Sequence, residues 1–134
     1  MGDFKKLDAF QKAHGLALNV IRLSATMRGP IAMAIKGQML RSALSVPTNI
    51  VEGSVRGSDR DYARFIRISI GSLSELEYHL IVASDTELIT ARDFQSNFDQ
   101  LVDVRKMLNG FHRRLTMSAD RSASKADSRS AGSS

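Results

Sequence analysis

Gln38, Arg41, Ser45, Asn49, Glu52 and Arg56 follow one another at intervals of three, four, four, three and four residues. That is the spacing by which a helix presents a single face. Such a stripe is ordinarily apolar and packs into a core; this one offers guanidinium, carboxylate, amide and hydroxyl groups that need partners of their own. Two chemistries fit. The groups can satisfy one another inside the fold or at a subunit interface and so fix helix register, or they can line an exposed groove for an anionic ligand. If the chain reverses near Gly57, Arg41 lies 16 residues before the turn and Glu75 18 after it, within about one helical turn of the same level. The spacing predicts an Arg41–Glu75 ion pair, with Asn49 and Glu52 satisfying nearby backbone or arginine groups, and with Gly53 and Gly71 allowing close backbone approach. Breaking a buried pair by removing one partner costs about 3–5 kcal/mol, so Glu75→Leu is expected to unfold or disassemble the protein.

A second set of residues could grip phosphate. The net charge is +5 and 13 of the 19 basic residues are arginines, the side chain best suited to planar anions. Arg60, Arg64 and Arg67 share one face of a helical segment, with Arg56 just before it. Lys106 and Arg113 stand a heptad apart on a later segment, flanked by Arg105 and Arg114. Phosphate binding needs several such cations converging, each contributing through counterion release. Solvated helix faces are the other account of each stripe taken alone, although a symmetric ring would repeat every stripe and make it multivalent. Tyr62 and Tyr78 are the only tyrosines and tryptophan is absent, which speaks against sequence-specific reading of stacked single strands.

Other chemistries find little support. With no cysteine, disulfides, thiol catalysis and thiolate metal sites are excluded. A di-iron bundle needs paired Glu-x-x-His motifs, whereas the chain has four glutamates and Glu75 is followed at that position by Tyr78. His14, His79 and His112 fall one on each of three segments and read as solvated or satisfied histidines. Neither a nucleophile elbow nor a phosphate-binding glycine loop occurs. The expectation is a protein without enzymatic activity, cofactor, metal or small-molecule substrate. The first residues lack the apolar run of a signal peptide, and Lys6 stands where acylation at Gly2 requires Ser or Thr. The longest wholly apolar run, residues 31–35, is far too short to cross a bilayer. A cytoplasmic protein with no membrane partner is expected.

The elements that must position these residues are all helical. A first segment over residues 4–27 turns Leu7, Phe10, Ala13, Ala17, Val20 and Ile21 inward and stops at Arg28-Gly29-Pro30, a helix breaker. Pro30 suits the first turn of the next helix, which runs to about residue 55. Pro47 removes a hydrogen bond to the Ala43 carbonyl; because Asn49, Ile50 and Glu52 keep the register, a kink is predicted rather than an end. Ser58 with Asp61, and Thr90 with Asp93, are helix-start signals. The third segment carries Tyr62, Phe65, Ile66, Ser69, Leu73, Leu76, Leu80 and Ala83 inward. The fourth places Phe94, Leu101, Leu108 and Leu115 seven residues apart, with Phe98, Val104 and Phe111 widening the stripe. From Ser118 the chain has no large apolar residue, so residues 118–134 are expected to be a disordered Ser/Ala-rich tail. Four helices of about 25 residues and roughly 37 Å each, joined by short turns, predict an all-α, antiparallel up-down four-helix bundle over residues 4–117.

The run Gln38, Arg41, Ala43, Ser45, Pro47, Asn49, Ile50, Glu52, Gly53 and Arg56, continued by Arg64, Phe65, Gly71, Ser72 and Glu75, resembles the pattern of a known family. That family is the four-helix-bundle proteins of the intervening sequences in bacterial 23S rRNA genes, distantly similar to the accessory variability determinant of diversity-generating retroelements. Ser42, Val46 and Val51 depart from the pattern by small changes, and residues 32–34 lack its acidic residues. The resemblance covers about residues 4–117. It implies a left-handed bundle assembling as a homopentameric ring, with no established enzymatic activity; the retroelement protein binds RNA and a reverse transcriptase. The function expected is a homo-oligomer that binds nucleic acid, RNA ahead of DNA, or scaffolds a nucleoprotein; the alternative is a structural or protein-interaction oligomer with no nucleic-acid role.

Overall fold

A computed structural model describes residues 3–132; Gly2 and residues 133–134, the end of the expected tail, lie outside them. The Asp3 carboxylate accepts a hydrogen bond from the Lys5 amide at 3.0 Å and opens a short 3-10 turn, Phe4–Lys6. Leu7 is extended, with φ −75° and ψ 128°, so the predicted first helix is broken there and α1 spans Asp8–Thr26. The turn out of α1 uses Gly29 at φ 100°, a left-handed conformation that suits glycine. Pro30 then takes the first position of α2, Pro30–Ser54. The Ser58 hydroxyl accepts from the Asp61 amide at 3.1 Å and starts α3, Asp59–Asp85. The Thr90 hydroxyl does the same for Asp93 at 3.0 Å and starts α4, Ala91–Gly132. Both predicted start signals are therefore in use.

The described residues form four α-helices, with no strand among them. Each helix packs on the next and α4 returns to α1, the α2–α3 contact being the most extensive. Leu16, Val20, Met39, Val46, Ile50, Ile66, Leu73, Leu76, Leu80, Leu101 and Leu108 are all but inaccessible and make one continuous core. The heptad series on α4 behaves as its spacing requires: Leu101, Val104, Leu108 and Leu115 are buried, with Phe94, Phe98 and Phe111 half-buried on its flanks. On α1 the inward stripe steps from Ala13 through Leu16 and Ala17 to Val20, Leu23 and Ser24. That path leaves Ile21, expected inward, on the exposed side. The helix α2 passes through Pro47, which is buried.

The C-terminal expectation is corrected. Residues 118–132 are not a disordered tail; they continue α4, and every side chain from Asp120 to Gly132 is exposed. No glycine or proline interrupts residues 118–131, and the packed part of α4 already supplies the helix nucleus, which is the costly step. No helix among the described residues is long and apolar enough to cross a membrane.

Candidate functional site

The polar stripe of α2 divides into a satisfied part and an unsatisfied one. Asn49 Nδ2 donates to the Ser45 carbonyl at 2.8 Å and to the Ser45 hydroxyl at 2.9 Å. The Ser72 hydroxyl of α3 lies 2.8 Å from the same Ser45 oxygen. One turn away, the buried Ser69 hydroxyl donates to the Val46 carbonyl at 2.8 Å. Glu52 pairs with Arg56 at 3.4 Å. Asn49 and Glu52 thus find the backbone and arginine partners expected of them, and two serines of α3 stitch the seam around Pro47.

The predicted Arg41–Glu75 ion pair does not form. Among the described residues the ion pairs are Arg56–Glu52, Arg64–Asp61 and Arg105–Glu77. Arg41 and Glu75 are both exposed and line a shared groove of about 280 Å³ together with Gln38, Ser45 and Ser72. They are level, as the hairpin arithmetic required, but nothing buries them. An exposed pair gains only about 0–1 kcal/mol, too little to fix two long side chains. Of the two glycines expected to permit close approach, only Gly53 does so within the chain. A Cβ built there would lie 2.4 Å from the Tyr62 ring, whereas one at Gly71 meets nothing within 4 Å.

The eight candidate cations do not form two simple faces. Arg56 and Arg64 each place a guanidinium carbon 4.5 Å from the centre of the Phe65 ring, and Asp61 holds Arg64 at 3.2 Å. Arg67 turns the other way and lies 3.4 Å from His112 Nε2 on α4. Burial, and then the Arg67 charge, hold the His112 pKa below its ordinary 6.5, which leaves the ring neutral at pH 7 and Nε2 free to accept from the guanidinium. Arg105 is tied to Glu77 at 2.7 Å. Lys106 and Arg114 line a cleft of about 440 Å³ between α4 and the start of α1, where Lys6 joins them beside Asp8. Arg113 lies with His112 in a shallower depression. Arg60 borders a notch under the outer part of α4, close to where Asp59 accepts a hydrogen bond from Ser118.

Seven of the eight fall in the half of the bundle that holds the α2–α3 turn and the start of α1, as the Arg67–His112, Asp59–Ser118 and Tyr62–Phe111 contacts and the cleft shared by Lys6, Lys106 and Arg114 show; Arg105, tied to Glu77 beyond the middle of α3, does not. The opposite end holds Asp85, Glu87 and Asp93 with Arg28 and Arg92. Lys6 was not among the cations expected here, and His112 was expected only to be solvated or satisfied, not to hold Arg67. Lys6 belongs to a 3-10 turn outside any helical stripe, and His112 gains its place only from the level at which α3 and α4 meet.

Fold and site together define a basic four-helix bundle with a polar α2–α3 seam. Residues 5–110 match the 23S rRNA-intervening sequence proteins, and the chain belongs to that family. It is also similar in structure to a protein of unknown function from the S23 ribosomal protein family of Bacteroides thetaiotaomicron. The TM-score is 0.72 at 23% identity, over 78% of this chain and 97% of that one, a likeness of fold. Among curated proteins, none matches the chain.

Proposed function

We propose that this is a non-enzymatic, cytoplasmic, homo-oligomeric bundle that binds nucleic acid, RNA ahead of DNA, through its basic end. The observation that carries the reading is the gathering of Arg56, Arg60, Arg64, Arg67, Lys106, Arg113 and Arg114 at one end, with Lys6 added, while Arg105 lies outside it on Glu77. Convergent cations are what a phosphate backbone requires. The contact pattern, in which Tyr62 meets Gly53 and Ser72 meets Ser45, supports the antiparallel up-down arrangement. The left-handed twist and the ring of five copies rest on the family pattern alone. A ring would present the basic end five times over, turning weak single contacts into multivalent ones.

Titration of mixed-sequence RNA by fluorescence anisotropy at rising salt tests this. For a single strand, log affinity is expected to fall against log salt with a slope of about 0.7 per phosphate contacted. Replacing Arg60, Arg64 and Arg67 by Glu should lower that slope by about two and abolish binding at physiological salt, with the helical circular dichroism unchanged. No binding of mixed RNA or DNA at low salt overturns the proposal. The second reading, a structural oligomer whose basic surface is incidental, is favoured by one observation: the exposed, unpaired charges of the α2–α3 groove.

A further inference from the structure

Arg41 and Glu75 come from facing helices, line one groove, and make neither an ion pair nor a hydrogen bond to any described residue. The groove beneath them is finished: Asn49, Ser45 and Ser72 satisfy one another. What is left over is one cation along the α2 side and one anion along the α3 side. Beside them lie two aliphatic side chains out of place on a solvated surface, Leu44 at 45% and Ile68 at 43% exposure.

Phosphate is a poor occupant, because Glu75 repels it and Leu44 and Ile68 gain nothing from it. A protein surface of matching charge order is a good one, and this chain carries that order itself. We infer that the α2–α3 face is where a second copy docks, with Arg41 of one copy paired to Glu75 of the next; this rests on the homo-oligomer proposed above. Burial under a neighbour removes Leu44 and Ile68 from water and takes the ion pair out of the solvent that screens it on the free chain. Gly71, exposed and without close neighbours within the chain, lets the neighbouring backbone approach α3. Every copy brings both halves of the pair, so in a ring each copy gives Arg41 to one neighbour and Glu75 to the other, and the contact repeats head to tail.

Multi-angle light scattering on Arg41→Glu, Glu75→Arg and the double variant tests the pairing. Wild type should run at a multiple of the 14.7 kDa chain mass. Each single variant should fall to 14.7 kDa with its helical circular dichroism intact, since both residues are exposed. The double variant, which restores opposite charges across every junction, should return to the wild-type mass. A monomeric wild type overturns the oligomer and this interface together. An assembled wild type whose single variants stay assembled overturns the interface alone, as does a folded double variant that remains monomeric.

Discussion

Gly53 sits where α2 leans hardest on α3. A methyl group there would lie 2.4 and 2.8 Å from two ring carbons of Tyr62 and 3.0 Å from Phe65 Cβ. The Tyr62 ring cannot step aside, because it is buried and packs edge-on against Phe111 with centroids 5.0 Å apart. Alanine would gain about 1 kcal/mol of helix propensity, against about 1–3 kcal/mol or more for overpacking. Overpacking wins, and Gly53→Ala should lower stability by about 1–2 kcal/mol in a denaturant melt. Gly71→Ala is the control. With nothing within 4 Å of the added atom, only the propensity gain remains, and the isolated chain should be stabilised by about 0.5–1 kcal/mol. The two glycines look alike in the sequence. Which of them faces a neighbour within the chain depends on the rotation of each helix about its axis, and a motif does not contain that rotation. Arg41 and Glu75 show the same limit: their level was legible from residue counts, their failure to converge was not.

At the scale of elements, the starts, stops and inward faces were largely legible because caps and periodicity are local. Ser58, Thr90 and Pro30 each mark a helix start within the residues they touch. The fourth helix is the exception. Its outer part has no large apolar residue to bury, and from Asp120 onward the described side chains are exposed; composition does not say that the backbone must uncoil. Beyond Asp120 the helix extends a structure already nucleated, so it costs the bundle little and contributes little. A chain ending at Asp120 should therefore unfold at the same denaturant midpoint, within about 0.5 kcal/mol. It should lose only the ellipticity of roughly three turns. A clear drop in midpoint would show that the outer part of α4 packs on the bundle after all.

For the whole molecule, the decisive feature is the uneven distribution of charge along the bundle. Arg60, Arg67 and Arg113 belong to different elements or different turns, and only the meeting of α3 with α4 through Arg67 and His112 sets them at one end. That is why a charge count read from the sequence established a basic protein but not a basic end. The proposed division of labour follows from the same geography: the end engages phosphate, and the α2–α3 side, with its balanced Arg41 and Glu75, engages another copy. The two charge-reversal experiments should accordingly be separable, one changing the salt dependence of binding and the other changing the mass.

The dominance of the α2–α3 contact also has a consequence in time. These two helices are adjacent in sequence, are joined by four residues, and share the richest packing, so closing them forfeits little chain entropy. The α2–α3 pair should form the folding nucleus, with α1 and the packed part of α4 docking afterwards. Val46→Ala should then chiefly slow refolding, while Leu115→Ala, at the periphery of the core, should chiefly speed unfolding. Equal partitioning of the two in stopped-flow chevrons would refute that order. If the order holds, the face that receives a second copy exists before the monomer is complete. Newly made chains would then meet their partners as half-finished hairpins, and local chain concentration during synthesis, rather than the stability of the finished bundle, would set how faithfully assemblies form.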